Sequence, residues 1–344
     1  LDDNSLKTPP LQIIFTTDEE TGMYGAQALD ASLLKAKRFI GLDCAKEGAF
    51  TVGCAGGVRL DIKLPLETEK AQTEACKIEV SGLCGGHSGE EIDKGRLNAN
   101  KVLGEFLSTL DGVKISEISG GDKDNAIPSY SYAVIESLSD VSNLAREFRN
   151  KAAVPADNGL KITVTRQNAD TFCTAASSKK IIDLLCALPF GIQAMSKDIK
   201  DVVETSLNVG VIGLADGNFF VKLSLRSSVA SEKNVLKERV NAIGESFGAS
   251  VTASGDYPAW QYRKDSPLRE TASAVFKDLY GKTPVVRVIH AGLECGIFSA
   301  KIPDIDAVAM GPDMFDIHTS RERLSASSLS RTYNYVCKVL EALK

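Results

Sequence analysis

The chain has 344 residues, 43% of them hydrophobic and 25% charged, with a formal net charge of -5. That is ample apolar material for more than one packed core, which excludes disorder, collagen and coiled coil. No Lys/Arg-rich block stands out, so neither nucleic acid nor an anionic membrane surface is an expected partner, and the longest near-apolar run, residues 184–192, is far short of the ~20 residues a membrane-spanning helix needs.

The chain opens Leu1-Asp2-Asp3-Asn4-Ser5, without Met, and soon reaches LQIIFTT at 11–17. This run is short, apolar and rich in β-branched and aromatic residues, and it reads as a buried strand. A domain seldom starts on a buried strand with nothing before it, so the sequence is expected to be a fragment. Met23, Ala26, Leu29, Leu33 and Leu34 lie near helical spacing within 22–37, and a strand is expected at 38–44. Strand, helix and strand in about thirty residues make a βαβ unit and hence a parallel sheet. VRLDIKLPL at 58–66 alternates apolar and polar, as a half-exposed strand does, and ETEKAQ at 67–72 is charged and turn-like, marking a boundary.

From Lys77 the texture changes. Strands such as KIEVSGL, IPSYSYAVIES, VVETSLNVGVI and FFVKLSLRS alternate with single helices at 97–110 and 232–247, an antiparallel α+β pattern that occurs twice. After Tyr257-Pro258-Ala259-Trp260 the α/β texture returns, with a helix at 267–280, strands at 285–289 and 305–310, and a last helix at 326–343 capped by Ser325. The expected fold class is α/β, with one α/β domain (1–72 and 259–344) interrupted by an inserted α+β domain (73–258). Eight scattered cysteines without C-x-x-C, and no signal-peptide pattern, place the chain in a reducing, cytoplasmic compartment.

The chemistry concentrates in loops. Asp18-Glu19-Glu20 directly follows the first expected strand, where an open parallel sheet binds its ligands. Adjacent carboxylates repel one another unless a cation or proton is present, so the triplet suits metal ligation or general base catalysis, with an acidic helix start as the plainer reading. Asp43 ends the next strand, where Asp is a poor strand former; a turn or a ligand explains it. His318 follows a third strand end. Taken singly it is an ordinary surface histidine, but with Glu20 and Asp43 it makes a carboxylate–imidazole set suited to zinc, manganese or cobalt. His87 sits in Cys84-Gly85-Gly86-His87-Ser88-Gly89-Glu90, whose glycines let a ligand approach closely. A serine nucleophile elbow is excluded there, because G-x-S-x-G lacks its final glycine.

Taken together, TTDEETG, GLDCAKEG, VGCAGGV, GLCGGHSGEEID, NAIP, VVETSLNVG, HAGLECGIF and a final GP…H resemble the aminoacyl-histidine dipeptidase (cytosolic non-specific dipeptidase) branch of the co-catalytic zinc peptidases, in order and over essentially the whole chain. The resemblance implies a two-metal α/β catalytic domain with an inserted lid, and hydrolysis of dipeptides. It implies Glu19 as the general base, Glu20 and His318 on one metal, and Asp43 on the other. It further implies His87 polarising the scissile carbonyl, Asn125 and Arg226 holding the substrate from the lid, and Glu294 at the substrate amine. His290 is read as structural. The family pattern also has a His in H-x-D and a bridging Asp upstream of the acidic triplet, and no His precedes His87. The chain is therefore expected to lack the N-terminal part, to bind metal weakly and to hydrolyse peptides poorly or not at all on its own. A non-catalytic homologue acting as a binding or interaction module is the alternative, and a homodimer through the lid is left open.

Overall fold

The computed structural model describes residues 7–317 and 319–344, with the backbone alone for 20–21 and 71–73. Its first elements are α1 (Glu19–Gly22), α2 (Tyr24–Ala28), β1 (Arg38–Gly41) and β2 (Ala49–Cys54). A long middle stretch follows with β3 (Gly56–Pro65), β4 (Thr68–Ser81), β5 (Gly86–His87), α3 (Ala99–Leu107), β6 (Lys114–Gly120), β7 (Ala126–Ile127), β8 (Ser131–Glu136) and α4 (Val141–Ala152). It continues with β9 (Lys161–Cys173), α5 (Ala175–Ala187), β10 (Gly191–Met195), β11 (Val203–Ala215), β12 (Asn218–Ser227), α6 (Ala230–Ser246) and β13 (Ser250–Tyr257). The chain closes with α7 (Pro267–Tyr280), β14 (Val285–Ile289), α8 (Glu294–Lys301), β15 (Asp306–Ala309), β16 (Met314–Phe315), β17 (Arg323–Leu324) and α9 (Ala326–Ala342).

The chain divides into two compact units, residues 1–56 with 257–344, and residues 57–256. Residues 57–72, expected in the first part of the α/β domain, lie in the second unit, and 257–258 lie in the first. The reason is strand pairing: Thr68 opens β4 opposite Cys173 of β9, so the charged ETEKAQ segment is sheet rather than a boundary turn. Cross-strand partners outweigh its weak local preference for strand.

The first unit holds a sheet ordered β1-β15-β2-β14, four-stranded among the described residues. β1 and β15 run parallel, as do β2 and β14, while β15 and β2 meet antiparallel. Phe50, Val52, Val308 and Met310 of this sheet pack with Leu268, Ala272 and Phe276 of α7 and Tyr335 and Val339 of α9. The Tyr335 hydroxyl donates to the Ala272 carbonyl at 2.7 Å, which satisfies the one polar atom of that buried ring. LQIIFTT is not a strand: the backbone at 11–16 is irregular, Ile13 and Phe15 are exposed, and no described strand pairs with it. An apolar run becomes a strand only where a neighbour takes its hydrogen bonds. The expected helix over 22–37 is likewise broken into α1, α2 and a 3-10 turn at Ala31–Leu33.

The second unit is built on a sheet of order β13-β3-β12-β11-β6-β8-β4-β9, with β10 added on β11. In β3 the alternation holds residue by residue: Val58, Leu60, Ile62 and Leu64 are buried while Arg59 and Lys63 are exposed. These side chains join Leu103, Phe106 and Leu107 of α3, Leu184 and Leu185 of α5 and Leu236 and Val240 of α6 in one core. Burying each such side chain stabilises the fold by roughly 1.5–3 kcal/mol.

Lys101 of α3 is the charged exception, 9% exposed within this core. Its ammonium donates to the carbonyls of Leu185, Cys186 and Leu188, the last of α5 and its exit, which have no helical partner of their own. Burial lowers its pKa from the ordinary lysine value. Lys101→Met keeps the stem but strands three acceptors, and should lower unfolding free energy by about 1–3 kcal/mol. Urea midpoints check this; an unchanged midpoint would mean that the cap contributes nothing.

Candidate functional site

In the first unit the acidic triplet sits on a tight turn. Asp18 caps α1 with φ 59°, and Met23 leaves it with φ 59°, both left-handed. That conformation is ordinary for Asp but strained for Met, and such strain persists where the surrounding contacts impose it. The Met23 N–H bonds to the carbonyls of Asp18 (2.8 Å) and Glu19 (3.1 Å), and the Gly25 N–H bonds to Thr17 at 3.0 Å. A Cβ on Gly25 would strike the Thr17 backbone, so glycine is required where the turn closes. The Thr16 hydroxyl donates to Glu294 Oε1 at 2.6 Å, which ties the chain just before the triplet to the first turn of α8. The far end of the same helix holds the far end of α2, since Lys301 Nζ donates to the carbonyls of Ala26, Gln27 and Leu29.

Asp43 lies just past β1 and is exposed. Gly41 and Ala309 are register partners, so β1 and β15 end side by side, and Met310 continues the ladder with its N–H on the Gly41 carbonyl. Gly311 passes against the Cys44 backbone where any side chain would collide. A Cβ on Gly41 would approach Cys295 Sγ to 2.9 Å, which places the start of α8 at this strand end as well. The Cys295 thiol is pushed well above its usual range, by burial first, then by Cys54, Cys44, Glu294 and Asp43. Asp43 and Glu294 thus share one neighbourhood.

His318 lies outside the described residues; β16 and β17 pair on either side of it through Met314–Leu324 and Phe315–Arg323. Glu20 belongs to α1 by its backbone, and nothing is described of its side chain. Among the described residues no group of three or more His, Cys, Asp or Glu is disposed to hold a metal ion. Asp43 alone of the three candidate ligands has a described side chain, and one carboxylate does not make a cation site.

The second unit brings His87, Asn125 and Arg226 together. β5 pairs with β7, His87 opposite Ala126, and the Ser88 N–H bonds to the Asn125 carbonyl at 2.9 Å. Buried Asn208 straddles Asn125, donating from Nδ2 to the carbonyls of Asp124 (2.8 Å) and Ala126 (2.7 Å). Arg226 of β12 is opposite Ser206, two residues along β11 from Asn208, and is 8% exposed. The Glu90 N–H donates to His87 Nδ1 at 3.1 Å. A ring nitrogen that accepts carries no proton, so neutral His87 holds its proton on Nε2 and is a donor there. Burial pushes the His87 pKa down, the Arg226 charge pushes it further down, and Glu90 and Glu91 oppose both. The result is a neutral N–H donor near a guanidinium, an arrangement suited to a carbonyl oxygen that gains charge and to a carboxylate.

This depression has a consequence for stability. Below the ordinary histidine value of 6.5 the unfolded chain binds a proton at position 87 that the folded chain resists. More protons on the unfolded side mean that stability falls as pH drops from there toward the lower folded pKa. His87→Gln should therefore lose less stability than the parent over that window. Parallel pH profiles of the urea midpoint check it, and identical slopes would contradict it.

Sequence reasoning singled out His87, Asn125 and Arg226 but missed Asn208, Glu91, Arg96 and Asp157, which hold their loops. Asn208 and Asp157 gain their role through contacts distant in sequence, whereas Glu91 and Arg96 act within the loop itself, on His87, Gly85 and each other.

The family model for peptidase family M20/M25/M40 matches residues 1–342. The chain belongs to this family. The cytosol non-specific dipeptidase of Escherichia coli (strain K12) is 34% identical over 357 residues, taking in 100% of this chain and 73% of that protein. The aminoacylhistidine dipeptidase of Vibrio alginolyticus, known from its crystal structure, is 31% identical with a TM-score of 0.90, covering 96% of this chain and 70% of that one. The mixed α/β fold described above is thus the fold of an M20 peptidase. No described helix of this M20 chain is long and apolar enough to cross a membrane.

Proposed function

We infer that the chain hydrolyses dipeptides, aminoacyl-histidine types among them. Both similar proteins carry dipeptidase in their names, one as a cytosol enzyme and one as an aminoacylhistidine dipeptidase. The observation that carries the reading is the His87 donor near Arg226. A dipeptide presents a scissile carbonyl and, one residue on, a free carboxylate. His87 Nε2–H donates to the carbonyl oxygen as it becomes an oxyanion, a contribution that typically costs ~3–4 kcal/mol to remove. Arg226 and Asn125 take the carboxylate, and Glu294 takes the free amine.

Glu19 accepts a proton from the attacking water and passes it to the departing amine, so that the carbon–nitrogen bond breaks as the new carboxylate forms. Glu20, Asp43 and His318 are the proposed ligands of two divalent ions, zinc by donor chemistry with manganese and cobalt as alternatives. The described residues do not complete a cation site, and the steps above rest on side chains alone. The cytoplasm is the proposed location, on the strength of the cytosol relative.

The test compares a dipeptide with its C-terminal amide. The dipeptide is expected to be cleaved with a far lower KM than the amide, which offers Arg226 no anion. Equal kinetics for the two would remove Arg226 from substrate binding.

A further inference from the structure

The loop that carries His87 has little reason to hold its shape unaided. Gly85, Gly86 and Gly95 all have positive φ, and such residues lose the most freedom on ordering. Two ties hold it. The inner one lies directly under His87: its N–H donates to Glu91 Oε2 at 2.9 Å, Glu91 pairs with Arg96 at 2.9 Å, and Arg96 Nη1 donates to the Gly85 carbonyl. Any side chain at Gly86 would collide with Arg96 and Glu91, so the glycine makes room for this tie.

The outer tie is a single buried carboxylate from elsewhere in the chain. Asp157, in the 3-10 turn Pro155–Asp157, is 1% exposed. Its Oδ1 accepts the Cys84 N–H and its Oδ2 accepts the Leu97 N–H, each at 2.6 Å. Cys84 begins the loop and Leu97 ends it, just before the Asn98 cap of α3. One side chain therefore closes the base of the loop by charge-assisted bonds, which are roughly twice as strong as neutral ones.

We propose that Asp157 is the positioning residue for His87, closing the 84–97 loop at its base so that the ring is held through Nδ1 by the Glu90 N–H and carries its proton on Nε2. The importance of that donor rests on the reading of His87 as a substrate contact; the hold itself does not. Asp157→Asn discriminates well, because it preserves shape but leaves one oxygen for two N–H donors and turns an amide donor toward the second.

The test uses the full nitrogen-15-labelled chain, with the His87 imidazole assigned by its absence in His87→Gln. The parent is expected to show Nδ1 unprotonated and Nε2 protonated, with the Cys84 and Leu97 amides exchanging slowly. In Asp157→Asn the two ring nitrogens should average, and the amides of Cys84, His87 and Glu91 should exchange about tenfold faster or more, while β11 and β12 stay protected. A variant that melts earlier yet keeps the parent His87 tautomer and loop exchange would make Asp157 merely structural and overturn the proposal. Should the variant fail to fold, the parent decides: Cys84 and Leu97 amides exchanging at open-loop rates overturn it, and protected ones uphold it. Failure of the functional reading shows separately, as His87→Gln with unchanged kcat and KM.

Discussion

Glu19→Gln is expected to lower kcat for dipeptide hydrolysis by ~10²–10⁴-fold, the usual worth of a positioned general base, with KM nearly unchanged. Gln keeps the size and polarity of the side chain but cannot accept the proton of the attacking water. The turn that presents residue 19 is closed by main-chain bonds from Met23 and Gly25 and by the Thr16–Glu294 tie, none of which uses the Glu19 side chain. The variant should therefore keep these main-chain bonds and unfold in a single cooperative transition like the parent. Steady-state kinetics beside a melting curve checks both halves, and a raised KM with intact kcat would move Glu19 from chemistry to binding.

Arg226→Met is expected to act on KM instead. Removing one partner of a buried, hydrogen-bonded charge pair costs about 2–5 kcal/mol, so the KM for a dipeptide should rise about 30-fold or more. Against the dipeptide amide the same variant should differ little from the parent, since no carboxylate is there to lose. A second, independent effect follows from the charge that Arg226 places on His87. That charge depresses the His87 pKa, so its removal should raise the pH at which the imidazole titrates. An unshifted His87 titration, or equal losses on dipeptide and amide, would contradict the pairing of these two residues.

How far the sequence revealed the molecule depended on whether a signal was local. The helix at 267–280 was legible to the residue because its stops are local: Pro267 in the first turn, Ser266 as cap and Gly281 in the left-handed exit position. Ser325 likewise caps α9 by accepting the Ser328 N–H. LQIIFTT had the composition of a strand but has no described strand paired with it, and ETEKAQ had the composition of a turn but gains a strand partner in β9. Helices α4 and α5 are absent from the expected elements, although Asp140 and Thr174 cap them by accepting the Asn143 and Ser177 N–H groups.

The candidate site divides in the same way. The DEE, GGHSGEE and NAIP segments stand out as charge and glycine in loops. The nearness of His87 to Arg226 could not be read, since it depends on the β5–β7 pairing and on the register of β11 against β12. Asp157 carried no signal at all: a single Asp after Pro155 gains its meaning only from the Cys84 and Leu97 amides that point at it.

The most direct measurement is hydrolysis of an aminoacyl-histidine dipeptide by this chain and by Glu19→Gln, each with added zinc and followed by release of free histidine. Slow but saturable hydrolysis by the parent chain, and loss of that activity in the variant, is the expected result. Release no faster than in a protein-free zinc control, or the same rate from both proteins, would contradict it.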